Sequence, residues 1–83
     1  MNFVKAEDAV KELSLLLMYL TRFRDKDYPV DWAWKNYDFD AVDKLDEEGY
    51  IDRGSFKSKS VMITKKGLQF AQELLKKYQI EES

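Results

Sequence analysis

The chain of 83 residues contains no cysteine, and that absence constrains its fold more than any motif does. No disulfide can staple it, and no thiolate can anchor a structural metal. A domain of this length buries only about 60–65% of the surface its unfolded chain exposes, so its core has to be efficient. The means are there: 45% of the residues are hydrophobic, and two Trp, five Tyr and five Phe supply bulk. A single domain spanning residues 1–83 is expected, ordered over about residues 4–79, with fraying confined to Ile80–Ser83. Fourteen basic against sixteen acidic side chains leave a net charge of −2, which exerts no global pull toward nucleic acid or membrane. The apolar run Leu15 to Leu20 is far shorter than the ~20 residues a bilayer crossing requires. Met1 leads into a charged helical segment, with no secretory leader pattern, so the expected compartment is the cytoplasm.

Periodicity predicts a long amphipathic helix from Ala6 to Phe23. Ala6, Ala9, Val10, Leu13, Leu16, Leu17, Leu20 and Phe23 share one broad face, which is expected to be its core side. Pro29 closes the connector, and Trp32 to Asn36 is expected to form a short aromatic-rich helical turn. Asp38 then has the character of an N-cap and Gly49 that of a helix stop. Phe39, Val42 and Leu45 lie between them at helical spacing. Tyr50-Ile51 opens a strand, Gly54-Ser55 signals a turn, and Lys59 to Thr64 returns as a second strand. Thr64 can cap a last helix that carries Leu68, Ala71, Leu75 and Tyr78 on one face, flanked by Phe70 and Leu74. The expected class is mainly α with a small β-hairpin (α+β), in the order helix, helix, helix, strand, strand, helix.

That order, the run Leu45-x-x-x-Gly49-Tyr50-Ile51, the lysine-bearing hairpin and the run Val61-Met62-Ile63-Thr64-Lys65-Lys66-Gly67-Leu68 resemble the winged helix-turn-helix superfamily. The resemblance covers roughly Val30 to Tyr78. Trp34-Lys35-Asn36-Tyr37-Asp38-Phe39-Asp40 is also similar to a run in small, uncharacterised bacterial winged-helix proteins. The superfamily resemblance implies a winged-helix fold and a DNA-binding protein of transcription-regulator type. Such a protein is often a homodimer, with its third helix in the major groove and its wing beside the backbone.

The side chains divide that implication. On the helix after Asp38, the set opposite Leu45 is Asp40, Asp43, Lys44 and Glu47, with a net charge of −2. An acid about 5 Å from a phosphate is opposed by up to roughly 3 kcal/mol at intermediate dielectric, whereas a good base contact contributes about 1–3 kcal/mol. Such a helix is a poor groove reader. From Ile51 to Lys66, five basic residues oppose Asp52 alone, a net of +4. Arg53, Lys57, Lys59 and Lys65 are therefore the candidate phosphate contacts, with Phe56 at the wing tip. Lysines on edge strands also serve simply to prevent sheet-to-sheet pairing. Two readings stay open: a double-stranded DNA binder that grips backbone through its wing, and a protein–protein interaction module on a winged-helix scaffold.

Leu15, Met18 and Tyr19 lie off the expected core stripe of the first helix, and on that reading they form a homodimer or partner interface. Trp32, Trp34 and Tyr37 are expected to fill the core under the helix-turn-helix corner. The acids from Asp38 to Glu48 do not follow calcium-loop spacing, so no metal is expected. The sequence has neither histidine nor cysteine, and its three glycines are isolated. It therefore lacks the usual general base, a thiol nucleophile and a phosphate-cradling loop, and no cofactor or catalytic residue is expected.

Overall fold

A computed structural model of the chain describes residues 4–24, 30–34, 38–53 and 60–82. Its elements run α1 (Ala6–Leu20), β1 (Phe23–Arg24), β2 (Asp31–Trp34), α2 (Phe39–Glu47), β3 (Ile51–Asp52), β4 (Ser60–Ile63) and α3 (Lys65–Lys77). The class is α+β, with three helices and one antiparallel sheet whose strand order is β1-β2-β4-β3.

Local chemistry starts and stops two of the helices as expected. The Asp38 carboxylate accepts from the Ala41 amide at the head of α2, and the Thr64 hydroxyl accepts from Gly67 at the head of α3. Gly49 ends α2 with φ 82°. Its amide reaches the Asp46 carbonyl while Tyr50 N–H reaches back to Leu45, the pairing that satisfies the last orphan carbonyls of a helix. Gln79, at φ 55°, repeats this motif after α3, with Ile80 N–H bonded to the Leu75 carbonyl. Ile80, expected to fray, is consequently half-buried against the core.

The segment before α2 differs from expectation. Trp32 lies in a strand and not in a helical turn, and α1 ends at Leu20, so that Phe23 belongs to β1. Strand β2 pairs with β4 through Asp31↔Ile63, Trp32↔Met62, Ala33↔Val61 and Trp34↔Ser60, and with β1 through Phe23↔Trp32. Asp31 and Trp32 are paired on both edges, and all four residues join β4 in a ladder that no isolated helical turn could match. The two-residue alternation of a strand buries Asp31 and Ala33 and turns Trp34 outward against Phe23, ring centroids 5.1 Å apart. Residues 35–37, which include Lys35 and Tyr37, lie outside the described residues.

The core lies where α1 crosses the sheet between α2 and α3. It is built from Leu15, Leu16, Met18 and Tyr19 of α1, with Val42, Leu45, Ile51, Val61, Ile63, Ala71 and Leu74. Phe39, expected on the inner side of α2, is 75% exposed. It occupies the first position of that helix, beyond the reach of the core, while Val42 and Leu45 continue the stripe inward.

Candidate interaction surface

Helix α1 is apolar on two opposite faces, and this determines what the molecule shows to its surroundings. The inner face carries Glu12, Leu15, Leu16, Met18 and Tyr19. Its one acid is neutralised across the helix pair: Lys77 Nζ and Tyr78 Oη donate to Glu12 Oε1 at 2.8 and 2.7 Å. Burial opposes the charged carboxylate, but the bonds from Lys77 and Tyr78 outweigh it and hold Glu12 below the ordinary carboxyl range. The same bond pushes the Tyr78 phenol up to about 12.

The outer face carries Val10, Leu13 and Leu17, each 47% exposed, and Leu20 at 44%. Of the leucines expected on the core side only Leu16 is buried, at 2% exposure, while Val10, Leu13, Leu17 and Leu20 lie outside. Leu15 and Met18, expected at an interface, are 0% exposed and Tyr19 is 4% exposed. They pack against the sheet, α2 and α3 and are unavailable to any partner. The physical reason is that a helix with two apolar stripes can be seated either way. The stripe chosen is the one whose Glu12 meets Lys77 and Tyr78, and whose neighbour Lys11 meets both carboxylate oxygens of Glu48 at 2.9 and 3.0 Å. Seating the outer stripe inward would have turned these charges away from their partners.

The outer stripe has a periodicity that could have been recognised. Val10, Leu13, Leu17 and Leu20 are spaced three, four and three residues apart, the seam spacing of paired helices. Ala6 extends it by four residues toward the N-terminus, and Ser14 and Thr21 fill the same arc. No residue of that arc is charged.

The residue that follows β3 is tied to α2. The Arg53 guanidinium pairs with Asp43 through Nη1, and its Nε lies 3.4 Å from Asp46 Oδ2. Arg53 is thus neutralised by the helix beside it. Lys65 is exposed at the first position of α3. Lys66 donates to the Glu48 carbonyl at 2.6 Å and lies over the Tyr50 ring. Phe56, Lys57 and Lys59 lie outside the described residues. On the outer side of α2, Asp40, Lys44 and Glu47 are exposed. Lys44 lies 3.7 Å from Glu7 of α1, and the two line a shallow cleft with Val10, Asp38, Asp40 and Ala41.

Among the described residues, no group of three or more His, Cys, Asp or Glu could hold a metal ion. Among the same residues, no helix is long and apolar enough to cross a membrane.

A 34% identical relative, an uncharacterized protein y4hR of Sinorhizobium fredii (strain NBRC 101917 / NGR234), aligns over 71 residues, 86% of this chain and 89% of its own. No solved structure matches the chain. The profile of the domain of unknown function DUF6429 matches residues 6–81 in one span, nearly the whole described fold from the first turn of α1 to the end of α3, and the chain belongs to that family.

Proposed function

We propose that this protein is a non-enzymatic interaction module that docks to protein through the outer face of α1. The observation that carries this reading is the exposure, near one half each, of Val10, Leu13, Leu17 and Leu20 in an arc without a charge. Contiguous apolar surface of this kind on a small domain marks an interface, because water is excluded from it only by a partner. The chemistry supports a binding role. The titratable cluster of Glu12, Lys77 and Tyr78 is used internally to join α1 to α3.

A second reading keeps the winged-helix kinship and its regulator role. From Asp38 to Tyr78 the order helix, hairpin, helix matches that expectation, and exposed Lys65 stands at the wing root near Lys57 and Lys59 in sequence. The interaction reading is preferred because Arg53 is already paired with Asp43 and Asp46. A duplex would also face the exposed acids of α2 beside the wing.

The test is a photo-crosslinking side chain at Leu17, with exposed Gln72 of α3 as the control position, in cells producing the full chain. The interaction reading expects discrete protein adducts from position 17 and not from 72. Equal yields from both positions, or none from either, overturn it. A mobility shift of random duplex at ~50 mM salt, where electrostatic binding is strongest, that is abolished by Lys57→Glu with Lys59→Glu would move the DNA reading ahead.

A further inference from the structure

From the outer stripe of α1 and the acids at both its ends we infer that the partner is a cationic amphipathic helix of another protein, apolar along its middle and bearing lysine or arginine at each end. This rests on the interaction reading above and names the chemistry of the partner. The stripe supplies the first half of the case. Val10, Leu13, Leu17 and Leu20 follow one another at intervals of three, four and three residues. The backbone beneath them is bonded within the helix and offers no edge for a strand to extend. A second helix with aliphatic side chains at the same spacing fits such a face along its length.

Charge supplies the second half. The stripe runs about 15 Å from Val10 to Leu20, and a cleft with an excess of carboxylates receives it at each end. Val10 lines the first with Glu7, Asp38, Asp40 and Lys44, three carboxylates against one ammonium. Leu20 lines the second with Arg22, Glu81 and Glu82. Arg22 and its neighbour Arg24 each lie 3.4 Å from Asp31 Oδ1, so two guanidinium groups stand against three carboxylates there, and exposed Glu81 and Glu82 carry the excess. The arc between the clefts is uncharged. Along α1 the order is negative, apolar, negative, and its complement is positive, apolar, positive.

The same order disfavours the other occupants. A second copy would lay acid on acid in either orientation. Phosphates of nucleic acid or of an anionic membrane would meet carboxylates at both ends. Four half-exposed aliphatic side chains also fall well short of the about 800 Å² that each partner gives a standard interface. The complex is therefore transient, with a dissociation constant on the order of 10 µM to 1 mM, and charge acts mainly on encounter rate and choice of partner.

The probe is a helical peptide of roughly 18 residues, with leucines at the same spacing and lysines at both ends. Fluorescence anisotropy of the labelled peptide against the full chain is expected to show binding at ~50 mM salt that weakens about tenfold or more at ~500 mM. The same peptide with glutamates at its ends, or with serines in place of its leucines, is expected to bind at least about tenfold more weakly. Leu13→Ser with Leu17→Ser is expected to abolish binding with an unchanged circular dichroism spectrum. If that pair loses helix, Leu17→Ser alone replaces it. Glu7→Lys with Asp40→Lys, and separately Glu81→Lys with Glu82→Lys, are each expected to weaken the lysine-ended peptide and to strengthen the glutamate-ended one. Glu73→Lys, at an exposed position of α3 away from both clefts, is expected to change neither. No preference for lysine ends, or an equal weakening by Glu73→Lys, overturns the cationic partner. So does stripe-dependent self-association of the wild type in sedimentation at ~1 mM, or stripe-dependent binding to phosphatidylserine vesicles. Discrete position-17 adducts in cells alongside any of these results defeat the cationic helix while leaving the interaction reading intact.

Discussion

Gly67, in the first turn of α3, lies so close to Tyr50 that a Cβ at this position would stand 2.0 Å from the Tyr50 carbonyl oxygen. The same carbonyl accepts the Thr64 amide at 3.1 Å, so it has no freedom to retreat. The glycine of the Thr-x-x-Gly run is thus a packing requirement, by which α3 can lie directly on the chain that leaves α2.

Gly67→Ala is expected to destabilise the protein by about 1–3 kcal/mol through overpacking, although alanine in an unobstructed helix would gain up to about 1 kcal/mol. A thermal melt decides the sign, since each 1 kcal/mol moves the midpoint by about 4–8 °C in a domain of this size.

The two helix caps should differ in consequence. Asp38→Ala removes one bond, to the Ala41 amide, and should cost about 1 kcal/mol. The Thr64 hydroxyl accepts from Gly67 N–H and also donates to the Gly49 carbonyl at 2.6 Å. Thr64→Ala should therefore cost more, about 2 kcal/mol. Denaturant midpoints of the two variants at constant slope provide the comparison.

The seating of α1 predicts a contrast between neighbours. Leu15→Ala should cost about 2–5 kcal/mol, because the side chain is wholly buried. Leu17→Ala in dilute protein should change stability by about 0.5 kcal/mol or less. A larger loss at Leu17 than at Leu15 would mean that the helix is turned the other way.

The Glu12–Tyr78 bond gives stability a pH dependence at both ends. Glu12 has its folded pKa depressed, so its contribution is present above the unfolded carboxyl value of 4.5 and is lost as pH falls through the lower folded value. Tyr78 has its folded pKa raised from 10.0 to about 12, so its contribution is present below 10.0 and is lost as pH rises toward about 12. Tyr78→Phe should cost about 1.5–3 kcal/mol at neutral pH, as the loss of a bond to a charged acceptor, and should remove the tyrosine's part of the alkaline limb, leaving that of Lys11, whose ammonium the Glu48 bond also holds above its ordinary range. Denaturation midpoints across pH, for wild type and variant, check both statements.

After α3, Gln79 occupies a left-handed conformation that glycine adopts without strain. Gln79→Gly is expected to stabilise the protein by about 0.5–1 kcal/mol, the opposite of what the same substitution does inside a helix. The thermal midpoint reads the sign.

The latter half of the chain was legible because its signals are local. Asp38, Gly49 and Thr64 act on amides and carbonyls within a few residues, and Val42 and Leu45 repeat at the spacing of one helix. The former half was legible only as far as the helical character of α1. Trp32 and Trp34 offer bulk, which reads as core, but their strand exists because Val61 and Met62, some thirty positions later, complete its hydrogen-bond ladder. Pairing at that separation leaves no trace in local composition. In the candidate surface, Arg53 was legible as a cation but its partners were not, since Asp43 and Asp46 reach it only once α2 turns back at Gly49.

The sequence by itself determined that α1 would be a helix, that it would carry more apolar surface than one face can hold, and where α2 and α3 would begin. Only the tertiary structure decided which stripe of α1 went inside. Both stripes are hydrophobic enough to bury, so hydrophobicity could not choose between them. The choice fell to the charges at their edges, Glu12 to Lys77 and Tyr78 and Lys11 to Glu48, partners that exist only when three helices have met.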